Sequence, residues 1–382
     1  MQPLPRTVII LGFVAFFLIG LVQSLFGPAF VALKGRYELE PGTVGTIVTA
    51  HFLGVTLGTL LSVLVLTRLR VRGIALLSSI ICALGLLLVG IAPSWTVALG
   101  GAFLAGLGFG SISGGYGTLF SSRGKSGSAA LSLLNAFWGV GSILGPLLAN
   151  QLLERGLNLY FGSAALLFAA LVLATVVLRF PAVALGTETD KSARAPSFLP
   201  LIPFMLMLCC YSGLEVASSS WMVTHLRVNL ALEAANTVNS LFWVMLTAGR
   251  FLTAPLSLRF SPGQLVLGSS ALFLLCVFFT AQQGAAPYAY AVLGLFMAPI
   301  FPMGLAWFAG RFPRLVGYTP LVIGSASLSA SLFPALTGLG VSALGLSSVP
   351  WSLGLFALLL LGLAGVNSRS SANPRSDWAT RR

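Results

Sequence analysis

Twelve apolar runs, each near the ~20 residues that carry a helix across a bilayer, occupy this chain almost from end to end. They fall at residues 7–33, 42–67, 73–92, 95–120, 127–150 and 158–179, then at 199–224, 235–258, 263–281, 286–309, 316–341 and 349–366. Charged residues make up only 8% of the sequence, against about 25% in soluble domains. A backbone surrounded by hydrocarbon must satisfy its own hydrogen bonds, and runs of this length do so as helices. The expected fold class is therefore an all-α membrane protein with twelve transmembrane helices in two six-helix, pseudo-symmetric bundles. The first run, Thr7 to Leu33, is longer than the roughly 7–15-residue core of a signal peptide and is expected to be a retained spanning helix.

The division into two rests on PAVALGTETDKSARAPS, residues 181–197, the one long polar, Pro-bearing stretch between runs. It predicts an N-terminal bundle over 1–180, a cytoplasmic linker over 181–198, a C-terminal bundle over 199–366 and a cytoplasmic tail over 367–382. Basic residues set the orientation. With the N-terminus inside, sixteen Lys and Arg fall on the inner side, among them Arg68, Arg70, Arg72, Arg123 and Lys125, and four fall outside: Lys34, Arg36, Arg155 and Arg227. Glu38, Glu40, Glu154 and Glu233 balance the outer four, so the net charge of +13 gathers at the inner face. That placement favours anionic lipid head groups over nucleic acid as partners. The expectation is a monomeric, multi-pass protein of the cell (inner) membrane with both termini cytoplasmic. Cys82, Cys209, Cys210 and Cys276 lie inside apolar runs without metal-ligand spacing and read as packing residues. The halves also repeat. An offset of 191 aligns Gly58 with Gly249 and Arg68 with Arg259, and an offset of 188 aligns Gly106 with Gly294, Arg123 with Arg311 and Pro146 with Pro334. Matches that fall in the same run of each half indicate a parallel duplication.

Several segments carry a family likeness over nearly the full length. GLVQSLFGPAFVALKGRYELEPGTVGTIVTAHFLGVTLGTLL and LLNAFWGVGSILGPLLA resemble the first two helices and the Gly-Pro fifth helix of the major facilitator superfamily. YSGLEVASSSWMVTHL, SLFWVMLTAGRFLTAPLSLRF and GLFMAPIFPMGLAWFAGRFP resemble its fucose and glucose permease-like branch. The resemblance implies a secondary transporter of the major facilitator fold, working by alternating access on a sugar or polyol. Two places depart from the family pattern. The loop TRLRVRG, residues 67–73, lacks the usual Asp, so a gating salt bridge built on it is not carried over. Ser113 and Gly117 stand in the fourth run where sugar-transporting relatives place an acid or amide, so proton coupling through that helix is not carried over either.

Glu215 is the only acid inside a long apolar run. A carboxylate at bilayer depth costs at least about 2.5–3.5 kcal/mol, which marks it as a functional candidate. Helical spacing puts Tyr211, Glu215, Ser218 and Ser219 on one face. Glu215 is expected to bind substrate hydroxyls, to take up a proton, or to serve as a fixed structural ion pair. Arg250, nine residues from Arg259, lies about 13 Å from the inner surface, and Glu215 is the one membrane acid available to it. A direct pair would oppose proton uptake and would act as a gate where it breaks between states; a permanent brace is the other reading.

The eighth run carries Asn236, Asn239, Trp243, Thr247 and Arg250 on one stripe. The fifth carries Ser128, Ser132, Asn135, Trp138 and Ser142. Asn135 offers the donor and acceptor that sugar hydroxyls need, and Trp138 and Trp243 are either stacking platforms for a sugar or core packing. Gln23 is the strong hydrogen-bonding group of the first run, for substrate or for helix packing. His51 is a candidate proton carrier or a packing histidine. The substrate-binding set is thus Gln23, Asn135, Trp138, Tyr211, Glu215, Ser219, Asn239 and Trp243, with Glu215, Arg250 and His51 for coupling or gating. No cofactor or metal is expected, and a Gly-rich phosphate loop with Lys-Ser or Lys-Thr is missing, which disfavours ATP-driven pumping. The competing function is proton-coupled export of drugs or amphipathic cations, with Glu215 as the cation-binding group. A receptor without transport activity is disfavoured by the polar stripes.

Overall fold

The computed structural model describes residues 5–65, 71–121, 124–178, 199–312, 315 and 319–372. The predicted linker 181–198, most of the loop 67–73, Arg123 and the tail beyond residue 372 lie outside the described residues, as do the side chains of Lys125, Ser128 and Ser132. The first half comprises α1 (Arg6–Gln23), α2 (Phe26–Tyr37), α3 (Thr46–Val65), α4 (Val71–Ile91), α5 (Trp95–Ser121), α6 (Gly124–Leu152) and α7 (Leu157–Val177). The second comprises α8 (Ile202–Thr224), α9 (Ala235–Ser257), α10 (Pro262–Thr280), α11 (Ala286–Met297), α12 (Ile300–Arg311), α13 (Thr319–Leu344) and α14 (Val349–Ala372). Among the described residues fourteen α-helices make twelve spans, because two spans are broken. The first breaks at Ser24–Leu25, where Pro28 supplies no N–H to the preceding turn. The tenth breaks at Ala298–Pro299 for the same reason.

Among the described residues, eleven spans are long and apolar enough to cross a membrane by length and composition. The remaining one, α9, has 23 residues, but Asn236, Asn239 and Arg250 dilute its apolar character. A helix this polar is stable at bilayer depth when its polar face is covered by protein. That is how it sits here.

Packing repeats between the halves. In the first, α3 packs on α5, α4 on α7 and α1 on α6; in the second, α9 packs on α11, α10 on α14 and α8 on α13. These are the same span pairs, six positions apart. The aligned glycines have matching roles: Gly106 abuts the α3 backbone at His51 and Gly294 the α9 backbone at Phe242, while Gly58 and Gly249 face α5 and α11 from the other side. A β-carbon at any of the four would collide with a neighbour, so small residues here set the helix spacing.

The halves meet along α2–α8, α3–α13 and α6–α9. The contacts concentrate at the end remote from the chain termini, here called the far end. Gly42 lies against Gly338, Phe30 against Trp221, and Thr49 Oγ1 donates to the Ser331 carbonyl at 2.7 Å. At the opposite, basic end the last turns of α9 from Phe251 are exposed apart from Thr253. At the far end of the first half, Arg36 closes the end of α4. Its Nη1 and Nη2 donate to the carbonyls of Gly90 and Ala92 at 2.8 and 3.0 Å, and the Tyr37 hydroxyl also donates to Ala92 at 2.9 Å. These carbonyls have no partner within the helix. Arg36→Ala is expected to destabilise the protein by about 1.5–3 kcal/mol, the range for hydrogen bonds from a charged group, read as a lower thermal midpoint in detergent.

Candidate functional site

The polar cluster at mid-depth is built on α8. Tyr211 and Glu215, one turn apart, both face inward, and the Tyr211 hydroxyl donates to Glu215 Oε2. Glu215 is 7% exposed. Arg250 on α9 brings Nη2 to 4.0 Å from the same oxygen. Its guanidinium also lies over the Trp138 ring of α6, 5.2 Å from the centroid, a cation–π contact. The Phe301 ring of α12, just past the Pro299 break, closes the cluster beside Tyr211 at 5.7 Å. The chain Tyr211–Glu215–Arg250–Trp138 therefore starts in the second half and ends in the first. A buried carboxylate removed from water is offset here by one hydroxyl donor and one cation.

Along α9 a stripe of side chains faces α6. Asn236 Nδ2 donates to Asn150 Oδ1 at 2.9 Å, and Ser240 Oγ donates to the Ile143 carbonyl at 3.0 Å. The Trp243 ring then meets Trp138 edge-on, with centroids 5.5 Å apart at 84°. Next, Thr247 packs on Gly139, where a β-carbon would lie 2.7 Å from Oγ1. Asn239 turns toward its own half instead, donating from Nδ2 to the Ser219 carbonyl at 3.0 Å. Several polar atoms of α8 and α9 lack partners, Thr224 Oγ1 and Asn236 Oδ1 toward the far end among them. Asn239 Oδ1, Trp243 Nε1, Thr247 Oγ1 and Ser218 Oγ are all buried without a hydrogen-bond partner.

Of the predicted site residues, Tyr211, Glu215, Arg250, Trp138 and Trp243 come together in one cluster. Asn239 and Ser219 bond to each other one helical turn from Trp243 and Glu215, and the Ser219 hydroxyl donates back to the Val216 carbonyl at 3.2 Å. Gln23 ends α1 at the break and is half-buried, one turn beyond the point where Gly20 abuts the Trp138 backbone. Asn135 is exposed on α6, three residues before Trp138. His51 is elsewhere. Its Nδ1 lies 3.3 Å from the Ala102 carbonyl, and the rings of Phe26, Phe52 and Phe109 surround it at 4.9, 5.3 and 5.6 Å. That aromatic packing separates it from the acid and the guanidinium. Ser240, Asn150 and Phe301 contribute without having been marked by the sequence. Ser240 sits at a helical step from both Asn236 and Trp243, so the stripe admitted either Ser240 or Asn239, and packing alone decides between them.

Two six-helix bundles pack around a polar, charge-paired cluster at mid-depth, the architecture of a membrane transporter. Residues 12–292 match the Major Facilitator Superfamily, and the chain belongs to that superfamily. It is 23% identical to the glucose/mannose transporter GlcP of Bacillus subtilis (strain 168), over 97% of this chain and 96% of that protein. It is 24% identical to the sodium-dependent glucose transporter 1 of Xenopus laevis, over 82% of this chain and 72% of that one. Among solved structures, a bacterial homologue of the human lysosomal transporter Spinster, inward-facing and occupied, superposes with a TM-score of 0.80 at 14% identity, covering 97% of this chain and 98% of that one.

Proposed function

We propose that this transporter moves a small neutral polyhydroxylated solute, a monosaccharide or polyol, by alternating access, with its basic end and both termini in the cytoplasm. The observation that carries the reading is the charge state of the site. Its one carboxylate is matched by one guanidinium, and the polar atoms left over on α8 and α9 are neutral donors and acceptors. Each such atom, buried unpaired, costs about 1–3 kcal/mol, which a solute rich in hydroxyls relieves. The two relatives named for glucose support the solute class. An amphipathic cation would have to displace Arg250 from both Glu215 and Trp138, which weighs against cation export.

Glu215 is the only buried acid among the described residues, so a coupling proton would land there. The test is flux of labelled glucose and mannose in proteoliposomes, with and without an imposed proton gradient. Glu215→Gln is expected to abolish proton-driven accumulation and to retain sugar counterflow. Transport of tetraphenylphosphonium without flux of either sugar would overturn the proposal.

A further inference from the structure

Among the described residues, three side-chain hydrogen bonds tie the two halves together at the end away from the basic face. Asn236 Nδ2 to Asn150 Oδ1 at 2.9 Å and Ser240 Oγ to the Ile143 carbonyl at 3.0 Å lie on the α6–α9 seam. Thr49 Oγ1 to the Ser331 carbonyl at 2.7 Å lies on the α3–α13 seam, on the other flank of the mouth. All three are neutral. Charged residues are at hand, with Glu154 and Arg155 following Asn150 by one turn and Arg227 and Glu233 preceding Asn236. Among the described residues these four make no ion pair. Asn236 and Ser240 are buried to 1% and 4% exposure, so their polar groups are withdrawn from water when the seam is shut. Side-chain donors find acceptors across the seam near the mouth, where Asn236 Oδ1 alone is buried unpaired, whereas the donors Trp243 Nε1 and Thr247 Oγ1 find none at mid-depth.

We propose that the exterior mouth of this transporter is held shut by a latch of neutral hydrogen bonds, centred on the Asn150–Asn236 amide pair, with no ion pair contributing to closure. The proposal rests on the orientation given above. Asn150 and Asn236 are positioning residues for the closed mouth and do not touch the solute. An amide pair re-forms with equal ease at any pH a cell meets, since neither partner titrates. Salt does not screen it as it screens a surface ion pair. The latch therefore sets how readily the mouth opens without tying that step to pH or ionic strength.

The test measures the distance across the mouth by pulsed electron resonance between nitroxides at Asn158→Cys and Ala234→Cys, both exposed, one on each half, and leaving all four charges in place. The native cysteines are buried or half-buried and label more slowly. In proteoliposomes a membrane-impermeant label added outside should reach both engineered sites; failure to do so overturns the orientation and with it the word exterior. Asn150→Ala and Asn236→Ala should each raise the ratio of open to closed populations about three- to ten-fold, as expected for one lost hydrogen bond. The double variant should exceed neither single, because one bond is lost in all three. Thr49→Val, which keeps the side-chain shape, should add its own shift because its bond lies on the other seam. High salt should leave the wild-type distribution in place. Unchanged distances in both Asn variants, or full additivity between them, would overturn the latch. Asn150 is exposed, so its truncation tests the bond without emptying the core.

Discussion

Arg250→Ala is expected to reduce solute flux about a hundred-fold. Removing one partner of a buried pair leaves the other charge uncompensated, at a cost of about 3–5 kcal/mol. The lower end applies here, because the Arg250 side chain is 28% exposed and the pair sits at 4.0 Å. Every 1.4 kcal/mol is about tenfold, which gives the hundred-fold figure. The same substitution also removes the contact with Trp138, the point where the cluster reaches the first half. Arg250→Lys separates these effects, since lysine keeps the charge and loses the planar group that lies on the indole; an intermediate flux is expected. Combining Arg250→Ala with Glu215→Gln removes the stranded charge, so the double variant should have a higher thermal midpoint than Arg250→Ala alone. Wild-type flux in Arg250→Ala would show that the pair has no part in transport.

Trp221→Ala should give the largest conformational change. The indole is fully buried at the far end of the molecule and its Nε1 donates to the Pro334 carbonyl at 2.9 Å. It touches both halves, with the Phe30 ring at 5.1 Å and 73° on one side and Gly338 on the other, and Gly45 leaves it room. Truncating a buried tryptophan costs about 3–5 kcal/mol. Because the ring is wedged between the halves, much of that cost falls on the state in which they touch. The expected result is a larger rise in the open population than either Asn variant produces, measured with the same label pair. Trp221→Phe should recover part of the packing and none of the bond to Pro334. A distance distribution identical to wild type would mean that the ring packs only within its own half.

Much of the scaffold was legible because bilayer thickness converts directly into run length. The repeat was legible too, since glycines at backbone contacts tolerate no replacement and therefore keep their spacing. Tyr211, Glu215 and Arg250 could be grouped from two facts, helical spacing and the scarcity of acids at depth. Other features depend on rotation and distance that no linear pattern carries. The run 7–33 reads as one helix, and its break follows from Gly27-Pro28, a signal present in the sequence but hidden within unbroken hydrophobicity. Trp138 reads as a platform for a sugar or as core packing, and in this structure one face of its ring receives Arg250. His51 reads as a proton carrier or a packing residue, and its surroundings are three phenylalanines. Asn239 and Ser240 are adjacent in sequence and bond to opposite halves of the protein. Only packing distinguishes them.

Glu215 and Arg250 belong to the same half, so any rocking of the halves carries both charges together. Moving one elementary charge through a potential of 100 mV involves about 2.3 kcal/mol, but a paired acid and base moving in step present no net charge to the field. A membrane voltage therefore has little hold on the empty carrier through this site. A current that accompanied solute flux would report an ion travelling with the solute, not a displacement of the protein's own paired charges.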